Sequence, residues 1–119
     1  MAERVEGIGG VFFRARDPEA LRGWYARHLG IEMEEYGTTF TAKAGDQTVW
    51  APFAADTDYF GSQDQQLMVN FRVRDLAAIL EQLRAAGVEV DEHVHEQEYG
   101  KFGWASDPEG NRFELWEPA

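Results

Sequence analysis

The sequence predicts an α+β fold made of two halves, each a strand, a helix and three further strands. Three observations carry that expectation. A strand-like run ending in Arg-Asp and followed by a helix occurs twice, in VFFRARDPEALRGWYARHLG and in QLMVNFRVRDLAAILEQLRAAG. A polar turn leading into a strand with Trp, one residue and then Pro also occurs twice, in GDQTVWAP and in DPEGNRFELWEP. Setting Asp17 on Asp75 and Trp50 on Trp116 brings the halves into register with small gaps, the mark of an internal duplication.

In chain order, GGVFFRARD alternates as a strand, with Val11, Phe13 and Ala15 on one face and Phe12, Arg14 and Arg16 on the other. Asp17 caps the following helix, Pro18 occupies the tolerated first position and Gly30 stops it. Leu21, Trp24, Tyr25 and Leu29 fall at helical spacing and form an apolar stripe that faces a sheet. Short strands are expected near 31–36, 38–42 and 47–51, separated by Gly37 and the turn AGDQ. The second half starts with a strand through QLMVNFRVR, then a helix capped by Asp75 and stopped by Gly87. Strands near 88–94, 100–106 and 112–116 follow, the last preceded by the tight turn DPEGN. The whole chain, 1–119, is read as one domain, with a first module at about 5–55, a linker at 56–65 and a second module at about 66–118. Each helix is expected on the convex side of its own sheet.

Composition narrows the function. A chain of 119 residues with eight Phe, four Trp and four Tyr is long enough for a packed core. It has no cysteine, so neither a disulfide framework nor a thiolate site is available. A formal charge of -11 argues against nucleic acid as a partner, since phosphate backbones are held by basic surface. No stretch approaches a membrane span or a signal-peptide apolar run, so the reading is a cytoplasmic protein with no membrane partner. No Ser-His-Asp order, phosphate-binding loop or dinucleotide fingerprint is present.

RARDPEALRGWYARHLGI resembles the first strand-helix unit of the vicinal oxygen chelate superfamily, and DPEGNRFELWEP resembles its closing turn and strand. That superfamily includes glyoxalase I, extradiol dioxygenases and bleomycin-resistance proteins. The resemblance implies a glyoxalase-like fold of two βαβββ modules whose paired, curved mixed sheets form a cup, commonly completed in a homodimer. It also implies a divalent-metal site on matched strands, at positions that here hold Gly10, Thr48, Met68 and Glu114. Only Glu114 is a usual ligand there, and one carboxylate with a hydroxyl and a thioether does not complete a shell. The expectation is therefore a protein without a cofactor or metal.

Glu114 lies between Phe113 and Leu115, so strand alternation puts those two toward the helices and Glu114 on the cup face with Arg112 and Trp116. The plainer alternative is a solvated surface acid. A carboxylate inside the cup needs a partner, and Arg14 or Arg72, at equivalent places on the two opening strands, is the expected one. Phe12, Thr48, Trp50, Met68, Asn70 and Trp116 share the inward register, Phe40 and Trp104 come from the middle strands, and Tyr59 and Phe60 of the linker can close over them. Apolar walls broken by a few polar groups suit a small-molecule cavity, although aromatics on a curved sheet also serve as plain core. His93 and His95, with Glu96 and Glu98 nearby, are the place to look for a relocated metal.

Two functions from different classes follow. One is a metal-free protein that binds a partly apolar or aromatic small molecule in the cup, as bleomycin-resistance proteins do. The other is a lyase, isomerase or dioxygenase-like enzyme with a rebuilt metal or acid-base site, in which Glu114 is the candidate catalytic residue.

Overall fold

Two aspartates start the two helices. The Asp17 carboxylate accepts from the Ala20 N–H at 3.1 Å, opening α1 (Pro18–Leu29), and the Asp75 carboxylate accepts from the Ala78 N–H at 3.0 Å, opening α2 (Leu76–Ala85). Each cap satisfies a helix donor that would otherwise lack a partner and contributes about 1 kcal/mol. In the computed structural model, which describes residues 3–4 and 6–119, four strands join these helices: β1 (Asn70–Arg72), β2 (His95–Gln97), β3 (Gly100–Ser106) and β4 (Arg112–Pro118). The expected start of the first module at residue 5 lies outside the described residues. Among those described, no helix is long and apolar enough to cross a membrane.

The strands form one open sheet in the order β1-β4-β3-β2, with β1 parallel to β4 and the other two pairings antiparallel. One face carries the core. Leu76, Leu80 and Leu83 project from α2 onto Ala105, Phe113 and Leu115, all of them almost completely buried. Each such leucine contributes about 1.5–3 kcal/mol relative to an exposed one. Gly103 permits the close approach, because a Cβ there would lie 3.0 Å from Leu80 Cδ1. Glu117 fixes the helix over β4 by accepting from the Leu76 N–H at 2.9 Å.

The stripe on α1 is used as its spacing predicts: Leu21 and Tyr25 are buried, and Trp24 and Leu29 pack against the core. Its surface is not the one expected. The rings of Trp24 and Tyr25 lie 6.1 and 6.2 Å from Phe113, and Tyr25 lies 6.2 Å from Phe71, so α1 rests on the sheet of the second half.

The reason is the state of the first half. The runs predicted as strands at its opening and at 31–36, 38–42 and 47–51 make no ladder among the described residues, where the sole pairing is the bridge Glu34–Gly37. Alternation becomes a strand only where a partner edge and a buried face accept it. Here Phe12 is 92 % and Trp50 83 % exposed. The expected pair of matching modules is therefore not what the described residues form: both halves have an Asp-capped helix, and the sheet comes from the second half alone. In that half the run 88–94 contributes only the bridge Val90–Ala105, and β2 begins after it.

The two halves are tied at the DPEGN turn. Asp107, 4 % exposed, accepts from the Tyr25 hydroxyl at 2.8 Å, the Asn111 side-chain amide at 2.8 Å and the N–H groups of Glu109 and Asn111 at 2.9 and 3.0 Å. Burial, followed by the hydrogen bond to Asp107 and its charge, holds the Tyr25 phenol far above the usual tyrosine range. Removing the hydroxyl in Tyr25→Phe should lower the urea-unfolding free energy by about 1–3 kcal/mol, since Asp107 loses a buried donor. The pH dependence has a definite sign. A phenol raised in the folded state stabilises fully below its unfolded pKa of about 10, and that stability is lost as pH rises further. The thermal midpoint should therefore fall above about pH 10, and fall less steeply in Tyr25→Phe; parallel curves for the two proteins would contradict this.

Candidate functional site

Alternation along β4 separates two environments. Phe113 and Leu115 point into the helical layer, while Arg112, Glu114 and Trp116 project from the opposite, open face. Register then assembles a row across that face, because Glu114 is paired with Asn70 on β1 and with Trp104 on β3. Asn70 Nδ2 donates to Glu114 Oε1 at 2.7 Å, and Trp104 Nε1 donates to Oε2 at 3.0 Å. The hydroxyl of Tyr59, from the segment joining the halves, also donates to Oε2. Glu114 is 7 % exposed, so the surface-acid alternative does not hold.

Neither expected arginine reaches this carboxylate. Arg14 is exposed, and Arg72 donates to the Gln47 carbonyl at 2.5 Å and lies 3.7 Å from Asp46. Three neutral donors take the place of an ion pair. Hydrogen bonds to a charged group contribute about 1.5–3 kcal/mol each, enough in combination to offset a substantial part of the cost of removing a carboxylate from water. Burial, and then the bond to Glu114 and its charge, push the Tyr59 phenol above the normal tyrosine range, while the Trp104 N–H and Arg112 act weakly against this. Tyr59 accordingly remains a protonated donor at neutral pH.

Tyr59 is held by contacts far apart in sequence. Gln65 pairs with the backbone of Arg112 as a strand would, its amide donating to the Arg112 carbonyl at 2.7 Å and accepting from the N–H at 2.9 Å. Arg112 Nε donates to the Tyr59 carbonyl at 3.1 Å, and its Nη1 lies 3.3 Å from Asp91 Oδ2. Its guanidinium also covers the Trp104 ring, 5.4 Å from the centroid. Gly61 lies beneath that side chain with φ +84°, where a Cβ would come within 3.1 Å of Arg112 Cδ. Segment 57–65 is thereby a strap fastened along β4. Phe53 stacks on Tyr59 with centroids 5.4 Å apart, and Phe60 lies against Phe53 at 5.2 Å.

Beside this cluster is a recess of about 160 Å³ lined by Tyr59, His95, Gln97, Phe102 and Trp104. Phe102 stacks in turn on Trp116, 6.1 Å away and nearly parallel, and the Trp116 indole donates to the Tyr99 carbonyl at 3.1 Å. Of the residues expected to form a site, the structure therefore groups Tyr59, Asn70, Trp104 and Glu114 directly, with Trp116 in the adjacent row. Phe12, Arg14, Thr48 and Trp50 are exposed on the first half, and Met68 is half-buried. Phe102 and Gln97 were not among the expected residues. Phe102 shares the period-two register of Trp104 and was readable on that ground. Gln65 was not, because its partner lies 47 positions away.

Both oxygens of Glu114 already face hydrogens donated by Asn70, Trp104 and Tyr59, and among the described residues no three His, Asp or Glu side chains gather around a common point. His93 and His95 are exposed, and the His95 ring sits edge-on to Trp104 at 5.8 Å.

Comparison with known proteins agrees with this geometry at the level of fold. No curated protein sequence matches the chain. Among solved structures, an antibiotic-binding protein from Streptomyces sp. CB03234 is 24% identical with a TM-score of 0.55, over 87% of this chain and 88% of that one. A lactoylglutathione lyase from Agrobacterium tumefaciens is 19% identical with a TM-score of 0.61, over 97% and 96%. A member of the glyoxalase/bleomycin resistance protein/dioxygenase superfamily from Sphaerobacter thermophilus DSM 20745 is 21% identical with a TM-score of 0.54, over 87% and 90%. The family model described as a glyoxalase-like domain matches residues 10–116, nearly the full length, so the chain belongs to the glyoxalase-like domain family within the vicinal oxygen chelate superfamily.

Proposed function

We propose that this protein binds a partly apolar or aromatic small molecule against the open face of its sheet, without a metal, in the manner of the bleomycin-resistance branch of its superfamily. The observation that carries the reading is the buried Glu114 carboxylate, hydrogen-bonded by Tyr59, Asn70 and Trp104, next to a recess with aromatic walls. Few polar groups among apolar walls are the usual composition of a ligand site. The structural likeness to an antibiotic-binding protein points the same way. The cup itself is completed in a homodimer. Support comes from Phe12, Tyr36, Phe40, Val49 and Trp50, apolar side chains of the first half left exposed in a single chain, and from the open sheet edges.

A ligand screen read by tryptophan fluorescence should yield planar or apolar hits that quench the signal. Phe102→Ala and Trp116→Ala should weaken those hits by about tenfold or more, as loss of a stacking wall costs about 1.4 kcal/mol or above. Glu114→Gln should cost about 1–3 kcal/mol of stability, because its amide turns donors toward donors, and should weaken ligands that are cationic or donor-bearing. If hits bind all three variants as they bind the wild type, the open face is not the site.

Purified protein should hold no stoichiometric Zn, Ni, Mn or Fe, and a chelator should leave its thermal midpoint unchanged, since without a shell no binding energy is coupled to folding. One metal per chain by elemental analysis would overturn this, and His93 and His95 would be the first residues to replace. Light scattering at micromolar concentration should give twice the 13.5 kDa mass of one chain; a monomer there would remove the dimer from the reading.

A further inference from the structure

We propose that the recess beside Glu114 is a one-ring subsite for a monocyclic aromatic group bearing a hydrogen-bond donor, and that Tyr59 selects for the donor by presenting its hydroxyl oxygen as an acceptor. The inference rests on the binding reading above and adds the chemical class of the ligand. Size is the first ground. A cavity of about 150 Å³ takes a single benzene ring, so the recess, at about 160 Å³, has room for one ring. Its walls, the rings of Phe102, Trp104, Tyr59 and His95, suit edge or face contact with such a ring.

The second ground is which hydrogens are already committed. A phenol has one proton to donate, and Tyr59 gives it to Glu114 Oε2. The indole N–H of Trp104 is committed to the same oxygen. The Tyr59 hydroxyl therefore faces a newcomer with lone pairs alone, and burial next to a carboxylate keeps its proton in place at neutral pH. Gln97 and His95 both donate and accept, so neither discriminates between a donor and an acceptor. The strap holds the tyrosine to this orientation through the Arg112 contact to its carbonyl and the Gln65 clamp. A carboxylate on the ligand would meet an acceptor with Glu114 directly behind it.

Phenol, toluene, anisole and benzoate separate these terms. They share one ring, and only phenol donates a hydrogen bond. Titrated into the full chain and followed by the indole N–H resonance of Trp104, phenol should bind roughly five- to tenfold more tightly than toluene or anisole, the fold-change of one net hydrogen bond, with benzoate weakest. In Tyr59→Phe the ring should still bind, and the preference for phenol should disappear. Gln97→Ala should keep it. Equal binding of phenol, toluene and anisole to the wild type would overturn donor selection even if Tyr59→Phe did not fold, and so would a Tyr59→Phe protein that keeps the preference. Should no single-ring probe move the Trp104 resonance while larger hits from the quenching screen still bind, the one-ring subsite fails and the binding reading stands. If the screen also yields no hit, the binding reading fails with it.

Discussion

The carboxylate of Asp107 holds together what the rest of the molecule uses. It is buried in the DPEGN turn between β3 and β4 and accepts from four donors, three of them within the turn and one, the Tyr25 hydroxyl, from α1. The local donors close the turn, and closure sets the register in which Trp104 stands opposite Glu114. The distant donor brings the first half of the chain onto the core. Glu109 of the same turn adds a second tie, accepting from the N–H groups of Arg16 and Asp17 at 2.7 and 3.0 Å, immediately before the helix begins. Those two bonds hold its carboxyl below the usual range. A single turn thus anchors both the hairpin that carries the site and the helix that covers the back of it.

The two buried acids, Asp107 and Glu114, are both satisfied by neutral donors, but by donors of different origin. Asp107 is enclosed by its own turn and has two backbone N–H groups among its partners, a local solution that any copy of the turn reproduces. Glu114 has side chains alone, contributed by β1, β3 and the joining segment. Its arrangement exists only when the parallel β1–β4 pairing, the antiparallel β3–β4 pairing and the strap are all in place. A group that depends on three separate elements is an expensive way to stabilise a sheet, because leaving any one donor out exposes an unsatisfied carboxylate in a low-dielectric setting.

The strap illustrates how a polar segment becomes part of a site. Residues 57–65 have no strand or helix of their own, yet Gln65 mimics a strand partner for Arg112 and Arg112 reaches back to the Tyr59 carbonyl. Each of these bonds is modest in net energy. Together they fix a phenol over a carboxylate while leaving the neighbouring recess open. The first half differs: among the described residues its alternating apolar side chains face solvent, because no strand edge pairs with them.

The sequence by itself determined the local features: both Asp-capped helices, the apolar stripe on the first, the DPEGN turn, the strand at 100–106, the strand at 112–116 that the structure extends to Pro118, and the placement of Glu114 opposite Phe113 and Leu115. These follow from caps, periodicity and turn chemistry, which act over a few residues. Tertiary structure decided the rest. It chose Tyr59, Asn70 and Trp104 over Arg14 or Arg72 as partners of Glu114, laid α1 on the second half's sheet, and left the first-half alternation without a ladder. An amphipathic pattern says that a face will be covered, but which surface covers it, and which donor reaches a buried acid, depends on contacts between residues tens of positions apart that carry no local signal.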